Sequence, residues 1–434
     1  MLSAFAQAFR TPDLRRKLVF TLVIMAIFRL GSLTPTPGVS YPNVQQCMDL
    51  LGGSNDLLGI INLFSGGALL QLSVFALGIM PYITASIIVQ LLRAVIPHFE
   101  ALQKEGQQGQ AKLTQYTRYL TIFLAILQST TMITMARSGN LLPGCNVPLI
   151  PNDTVVTIVI MIITMTAGTG LVMWLGELIT ERGVGNGMSL LIFTSIASGF
   201  PGAIGSVAGG AGGIGNLTIV IGLLLLITLV VVFVEQSQRR IPVQYAKRMV
   251  GRRMYGGSST YIPIKINMAG VIPVIFASSL LALPGMLTQF GDATAPWAVW
   301  INENLVSPSA PLYMAIYFLL TVFFVFFYTS ITFNPEDVAD NMKRYGGFIP
   351  GIRAGRPTAD YLSYVTNRIT SAGALYLGLV ALVPVVIFSL LTLPDEIGFA
   401  LGGTSILIVV GVGLQTVKEI DSQLQQRHYE GFLR

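Results

Sequence analysis

Side chains able to do covalent or metal chemistry are sparse in this chain. Its two histidines, His98 and His428, lie far apart in loop and tail positions. No His/Cys cluster has metal-ligand spacing, no acidic pair sits inside an apolar run, and no glycine pattern follows a strand as a phosphate cradle would. No catalytic residue, cofactor or metal site is assigned, and the chain is not expected to be an enzyme. The glycine-rich run GAIGSVAGGAGGIGN lies between apolar stretches and reads as a flexible linker. The concentrated feature is charge. From Gln238 to Lys265 the chain reads QRRIPVQYAKRMVGRRMYGGSSTYIPIK, with Arg239, Arg240, Lys247, Arg248, Arg252, Arg253 and Lys265. With a second basic loop near Arg353, it suggests a docking surface for something large.

The elements that carry these loops follow from composition. The chain is 53% hydrophobic and 11% charged, about half the roughly 25% charged residues of a soluble protein. Several apolar runs exceed the roughly 20 residues that a bilayer-spanning helix needs. An all-α polytopic membrane protein is expected. The first apolar run follows Arg15, Arg16 and Lys17 and ends in LTPTPG, not in a small-residue cleavage site, so it reads as a retained span. Ten spans are predicted, near 17–34, 74–96, 118–137, 153–175, 184–202, 216–235, 267–290, 312–333, 367–391 and 401–420. On this layout all but Arg29 and Arg137 of the 26 Lys and Arg fall on one side. The positive-inside rule then makes both termini and the long basic loops, about 236–266 and 334–366, cytoplasmic. The two five-span halves, 1–205 and 206–434, insert with opposite orientation, the topology of an inverted repeat.

The stretch 57–96 is too long for one helix and is interrupted by Gly66, Gly67, Gly78 and Pro81. The run from Asn62 to about Ser73 is too short to cross and is expected to form a half-helix dipping in from outside, surrounded by protein or a water-filled cavity. One kinked span with an apolar lead-in is the alternative. A charge at the bilayer centre costs about 2.5–3.5 kcal/mol on insertion scales. Arg29 is expected to snorkel from the outer half of span one, and Glu177, at the inner end of span four, to pair with Arg182. An ion-coupled transporter would show a buried Asp, Glu or His on its path, and the lack of one argues against that class. Cys47 and Cys145 both fall in outside loops, where disulfides are permitted; a bridge and two free thiols both stay open.

Several segments in order resemble the SecY family, the central subunits of the bacterial Sec protein-conducting channel and of its Sec61-alpha relatives. They are NLFSGGALLQLSVFALGIMPYITASIIVQLL (62–92), KEGQQGQAKLTQYTRY (104–119), MWLGELITERGVGNGMSLLIF (173–193), QRRIPVQYAKR (238–248), STYIPIKINMAGVIPVIFASS (259–279), FNPEDVADNMKRYGGFIPGIRAGRPT (333–358) and GGTSILIVV (402–410). The resemblance covers nearly the whole chain. It implies a passive channel in the bacterial plasma membrane that moves unfolded preproteins across and releases hydrophobic segments sideways into lipid.

The same resemblance implies residue roles. The half-helix would be a plug, with Asn62, Phe64, Ser65, Gly66 and Gly67. Ile79, Ile83, Met188, Ile192, Ile275 and Ile408 would form an apolar pore ring, although a lone Ile in a membrane helix is usually packing. A lateral gate between spans two and seven would carry Gln90 and Asn267, with Thr84, Ser86, Ser278 and Ser279 nearby. Arg252, Arg253 and Arg353 would dock the ribosome or the SecA ATPase. SecE and SecG subunits, signal sequences, unfolded preproteins and membrane lipids are the other implied partners. No cofactor is implied.

Overall fold

The computed structural model describes residues 9, 11–51, 65–139, 147–209, 213–245, 248–250, 253–255, 259–288, 295–307, 310–390 and 401–432. Asn62, Phe64, Cys145 and Arg252 lie outside the described residues. The chain is mostly helical: α1 (Pro12–Leu33), α2 (Tyr41–Leu51), α3 (Met80–Val95), α4 (Pro97–Lys104), α5 (Gln107–Ser138), α6 (Val155–Arg182), α7 (Gly187–Gly209), α8 (Gly213–Gln236), α9 (Ile272–Thr288), α10 (Pro296–Ile301), α11 (Pro311–Thr332), α12 (Pro335–Arg344), α13 (Arg356–Leu390) and α14 (Gly403–Phe432). Local chemistry sets many of the starts. Proline occupies the first turn of α1, α3, α11 and α12, where its missing N–H is no loss and its fixed φ suits a helix. The Thr154 and Asn334 side chains cap α6 and α12 by accepting from Thr157 N and Glu336 N.

Among the described residues seven helices are long and apolar enough to cross a membrane: α5, α6, α7, α8, α11, α13 and α14. Helices α1, α3 and α9 coincide with the predicted first, second and seventh spans. Helix α3 has 16 residues and α9 has 17; at 1.5 Å per residue either reaches roughly 25 Å, short of the roughly 30 Å hydrocarbon core. Ahead of α3 the chain runs through residues 66–79 as a succession of turns, broken by one bridge from Ser73 to Pro35. Of the expected half-helix over 62–73, Ser65 is helical, 66–72 run as turns and Ser73 makes an isolated bridge, while 62–64 lie outside the described residues. Predicted span two becomes regular only at Met80, where Pro81 starts the helix. This irregular backbone is tolerated because it is wrapped in protein: Ser65, Ala68, Leu69, Leu72, Ser73 and Ala76 are all buried.

The expectation of a flexible glycine-rich linker is also corrected. Helix α7 continues to Gly209 and α8 begins at Gly213, so most of GAIGSVAGGAGGIGN is helical.

The helices pack as two groups. Helix α1 lies against α6 and α7, α6 against α5 and α7, and α5 against α3; in the other group α9 lies against α11, α11 against α13, and α14 against α13 and α8. The groups meet along two lines, α7 with α8 and α14, and α3 with α9.

The basic segment is a folded body. Strand β1 (Gln238–Tyr245) pairs antiparallel with β4 (Ser259–Lys265), and a smaller hairpin of β2 (Arg248–Val250) and β3 (Arg253–Tyr255) lies between them in sequence. The other edge of β1 pairs with β5 (Gly347–Phe348) from the loop after α12, matching Gln244 to Phe348 and Tyr245 to Gly347. Ile241, Val243 and Ile264 from the sheet join Met342, Ile349, Leu362 and Val365 in one buried cluster. The two basic loops therefore share a small core.

Candidate functional site

The six apolar positions singled out in the sequence come from α7, α9, α14 and the start of α3, and they gather in one place. Ile79, Ile83, Ile192, Ile275 and Ile408 belong to one buried apolar cluster, with Met188 packed against it. Ile79 is 1% exposed and Ile408 is fully buried. The cluster is bounded on one side by a cavity of about 460 Å³. Ile83, Met188, Ile192 and Ile275 line its apolar wall, while Gln90, Arg118, Glu177, Glu181 and Asn186 line the rest.

Beside the first cluster, residues 65–79 thread between two cores. Leu69 and Leu72 pack in a second cluster with Val44, Cys47, Ile133 and Met161. Phe75 and Ile79 enter the first cluster, and Phe75 stacks on Phe28 at 5.9 Å between ring centroids. Helix α6 presses on this segment: a Cβ on Gly168 would come within 2.1 Å of the Val74 carbonyl oxygen, so only glycine fits. The Arg29 guanidinium donates to the Gly66 carbonyl. It points into the protein, which corrects the expected snorkelling. Gly66 has φ +69°, a backbone conformation that favours glycine.

Glu177 pairs with Arg118, not Arg182. Arg118 Nε donates to Oε1 at 2.8 Å and its Nη2 to Oε2 at 2.7 Å, the two-pronged geometry that suits a guanidinium and a carboxylate. Both residues line the cavity. Sequence reasoning missed Arg118, although the predicted inner ends of spans three and four already put both residues at one depth.

The expected gate helices α3 and α9 touch, but among the described residues no hydrogen bond joins the named polar residues across that seam. Gln90 donates to Ser86 on its own helix at 3.3 Å. Thr84 and Ser278 donate to the carbonyls of Met80 and Ile275, also on their own helices. Asn267, 4% exposed, donates to Glu235 Oε1 and, at 3.0 Å, to the Gly270 carbonyl. It therefore ties the end of α8 to the lead-in of α9. Beside it Ile266 N donates to Ser237 O at 3.2 Å, closing the root of the β1–β4 hairpin.

Of the expected docking residues, Arg353 is exposed and Arg253 lies on β3. Arg239 and Arg240 are exposed on β1 of the three-stranded sheet, and Arg240 lies 4.8 Å from the ring centroid of Tyr261. Cys47 is fully buried and disulfide-bonded.

Residues 73–417 match the family model of SecY. Over its full length the chain is 63% identical to the full-length protein translocase subunit SecY of Streptomyces coelicolor. The chain belongs to the SecY family. Equally full-length SecY relatives are 59% identical in Micrococcus luteus and 56% identical in Mycobacterium bovis. The family is one of membrane translocase subunits and not of enzymes, in keeping with the multi-pass architecture.

Solved structures share the fold at low identity. A protein-conducting channel matches with TM-score 0.62 and 18% identity over 93% of this chain and 91% of that one. A SecY structure, whose plug domain is said to stabilise the closed translocation channel and maintain a membrane seal, matches with TM-score 0.62 and 20% identity over 93% and 91%. An idle yeast Ssh1 complex bound to the ribosome matches with TM-score 0.63 and 17% identity over 94% and 89%.

Proposed function

We propose that this chain is the central subunit of a protein-conducting channel that moves unfolded preproteins across the bacterial plasma membrane and lets hydrophobic segments leave sideways into lipid. One observation carries the reading. Six apolar side chains from four helices converge at a single apolar cluster, which Phe75 and Ile79 of the 65–79 segment join and which opens on a polar-rimmed cavity. An apolar constriction excludes water and ions by dewetting, yet it offers no fixed partner and yields to any passing side chain. In this reading Ile79, Ile83, Met188, Ile192, Ile275 and Ile408 form the ring. The plug runs from Asn62 to Ser73, and α3 and α9 are the two edges of the lateral exit. Among the described residues the named polar side chains make no hydrogen bond across the seam between them, which suits a gate that a hydrophobic segment must part. A preprotein stalled in transit should crosslink to photoreactive side chains placed at positions 83 and 408. Failure at both positions, with crosslinks elsewhere on the chain, would remove the central path.

Ten spans, in halves 1–205 and 206–434 with both termini cytoplasmic, complete the proposal. The helices α1, α3 and α9 take the three crossings whose length or charge sets them apart. Cys47 would pair with Cys145, because Cys47 is disulfide-bonded and the sequence holds one other cysteine. The two basic loops, with Arg252, Arg253 and Arg353, are the docking surface for the ribosome or the SecA ATPase, with SecE, SecG, signal sequences and lipids as further partners. Arginines facing RNA gain affinity by releasing counterions, so ribosome binding should weaken steeply with salt. Arg353→Glu should cut preprotein transport about tenfold or more while the protein still inserts, since truncating a docking contact costs about 1–2 kcal/mol and reversal exceeds that. Normal transport by this variant would take Arg353 off the docking surface.

A further inference from the structure

Arg29 and Arg137 are the two basic residues outside the predicted cytoplasmic side. Arg137 has an ordinary partner: its Nε meets Asp153 Oδ2 at 2.6 Å. Among the described residues Arg29 pairs with no carboxylate and instead donates to the Gly66 carbonyl. A cation kept inside a membrane span without a counter-charge is costly and marks a working residue. We propose that Arg29 is the latch of the plug: reaching in from α1, it holds the Gly66 carbonyl and keeps the start of the 65–79 segment seated in the resting channel.

The surroundings of Gly66 fit a latch point. A Cβ there would lie 3.2 Å from both Arg29 Nη1 and the Cα of Ser195 on α7. The bare backbone thus slots between α1 and α7. Ser195 stands three residues beyond Ile192, on the same helix face, so the latched carbonyl sits about one turn from the ring.

The other end of the segment is held differently. Thr36 N donates to Leu72 O at 3.0 Å and Val74 N to Thr34 O at 2.9 Å, a short strand-like pairing with the chain leaving α1. Leu72 itself has φ +46°, uncommon for a residue with a side chain. Two backbone bonds anchor residues 72–74 while one side-chain bond holds Gly66. The segment is built as a flap with a fixed hinge and a releasable catch. Arg29 is a positioning residue in this scheme and touches no passing substrate.

The inference rests on the plug reading given above, and its test separates the two. The full chain is assembled in its native membrane complex carrying Ser65→Cys, a buried position next to the catch. The rate of labelling by a membrane-impermeant maleimide added outside is measured together with resting conductance. Arg29→Met should raise labelling about tenfold to a hundredfold, the range expected for loss of one charge-assisted hydrogen bond. Arg29→Lys, which keeps a charged donor, should stay near the parent rate. If Arg29→Met does not accumulate, Arg29→Gln carries the test and should label at an intermediate rate. Labelling that stays at the parent rate in the folded Met or Gln variant overturns the latch. Ring substitutions that leak normally in the same experiment would leave the channel reading standing; ring substitutions that stay tight would sink that reading instead.

Discussion

Membranes holding this channel with Ile83, Ile192 and Ile408 all changed to Ser should conduct ions at rest. The three residues come from three helices and are 7%, 4% and 0% exposed in one apolar cluster. Each hydroxyl gives water a hydrogen-bond partner in a constriction that otherwise has none. At about 1 kcal/mol net per bond, three sites make roughly 3 kcal/mol, on the order of a hundredfold in the wetted fraction. Size alone should matter less. Replacing the same residues with Met, a similar apolar volume that adapts to irregular gaps, should keep the seal nearly intact; position 188 already carries Met. Single-channel recording in planar bilayers makes the comparison. Equal resting conductance for the Ser and parent proteins would show that these residues pack the core without sealing a pore.

The second large effect concerns Arg118 and Glu177. Their side chains are 46% and 19% exposed, so Glu177 depends on its partner far more than Arg118 does. Arg118→Met strands a largely buried carboxylate. Breaking a buried pair from one side costs about 3–5 kcal/mol, and the half-exposed guanidinium argues for roughly 2–3 kcal/mol here. Changing both residues to Met removes the stranded charge and should recover most of that loss. A double-mutant cycle on thermal unfolding in detergent, read through the coupling energy, checks it. Two single losses that simply add in the double variant would mean that the pair contributes nothing to holding α5 on α6.

Much of the fold could be read in advance because apolar runs bounded by charge leave few choices. Seven of the predicted spans match helices long and apolar enough to cross, and the ring positions meet in one cluster. The failures have physical causes. Arg182 lies five residues after Glu177, on a different face of α6, whereas residues three or four apart share a face; the true partner sits on the neighbouring helix. The direction of Arg29 depends on where the 65–79 backbone runs, which no local pattern in α1 encodes. The glycine-rich run is helical because it extends two long apolar helices, α7 and α8, beyond the ends that composition alone marks. The pairing of β1 with β5 joins segments far apart in sequence, and a two-residue strand leaves no periodic signal.

That last pairing constrains how the proposed gate can move. Strand β4 leads into α9, and α11 leads through α12 into β5; β4 and β5 flank the same strand, β1. The inner ends of α9 and α11 are thus pinned to one anchor. Along their length the two helices stay packed, with Phe276 edge-on to Phe324 at 5.7 Å. A parting between α3 and α9 therefore cannot peel α9 away alone. In the proposed gate, α9 and α11 would swing together as one panel, pivoting on the sheet that joins their inner ends.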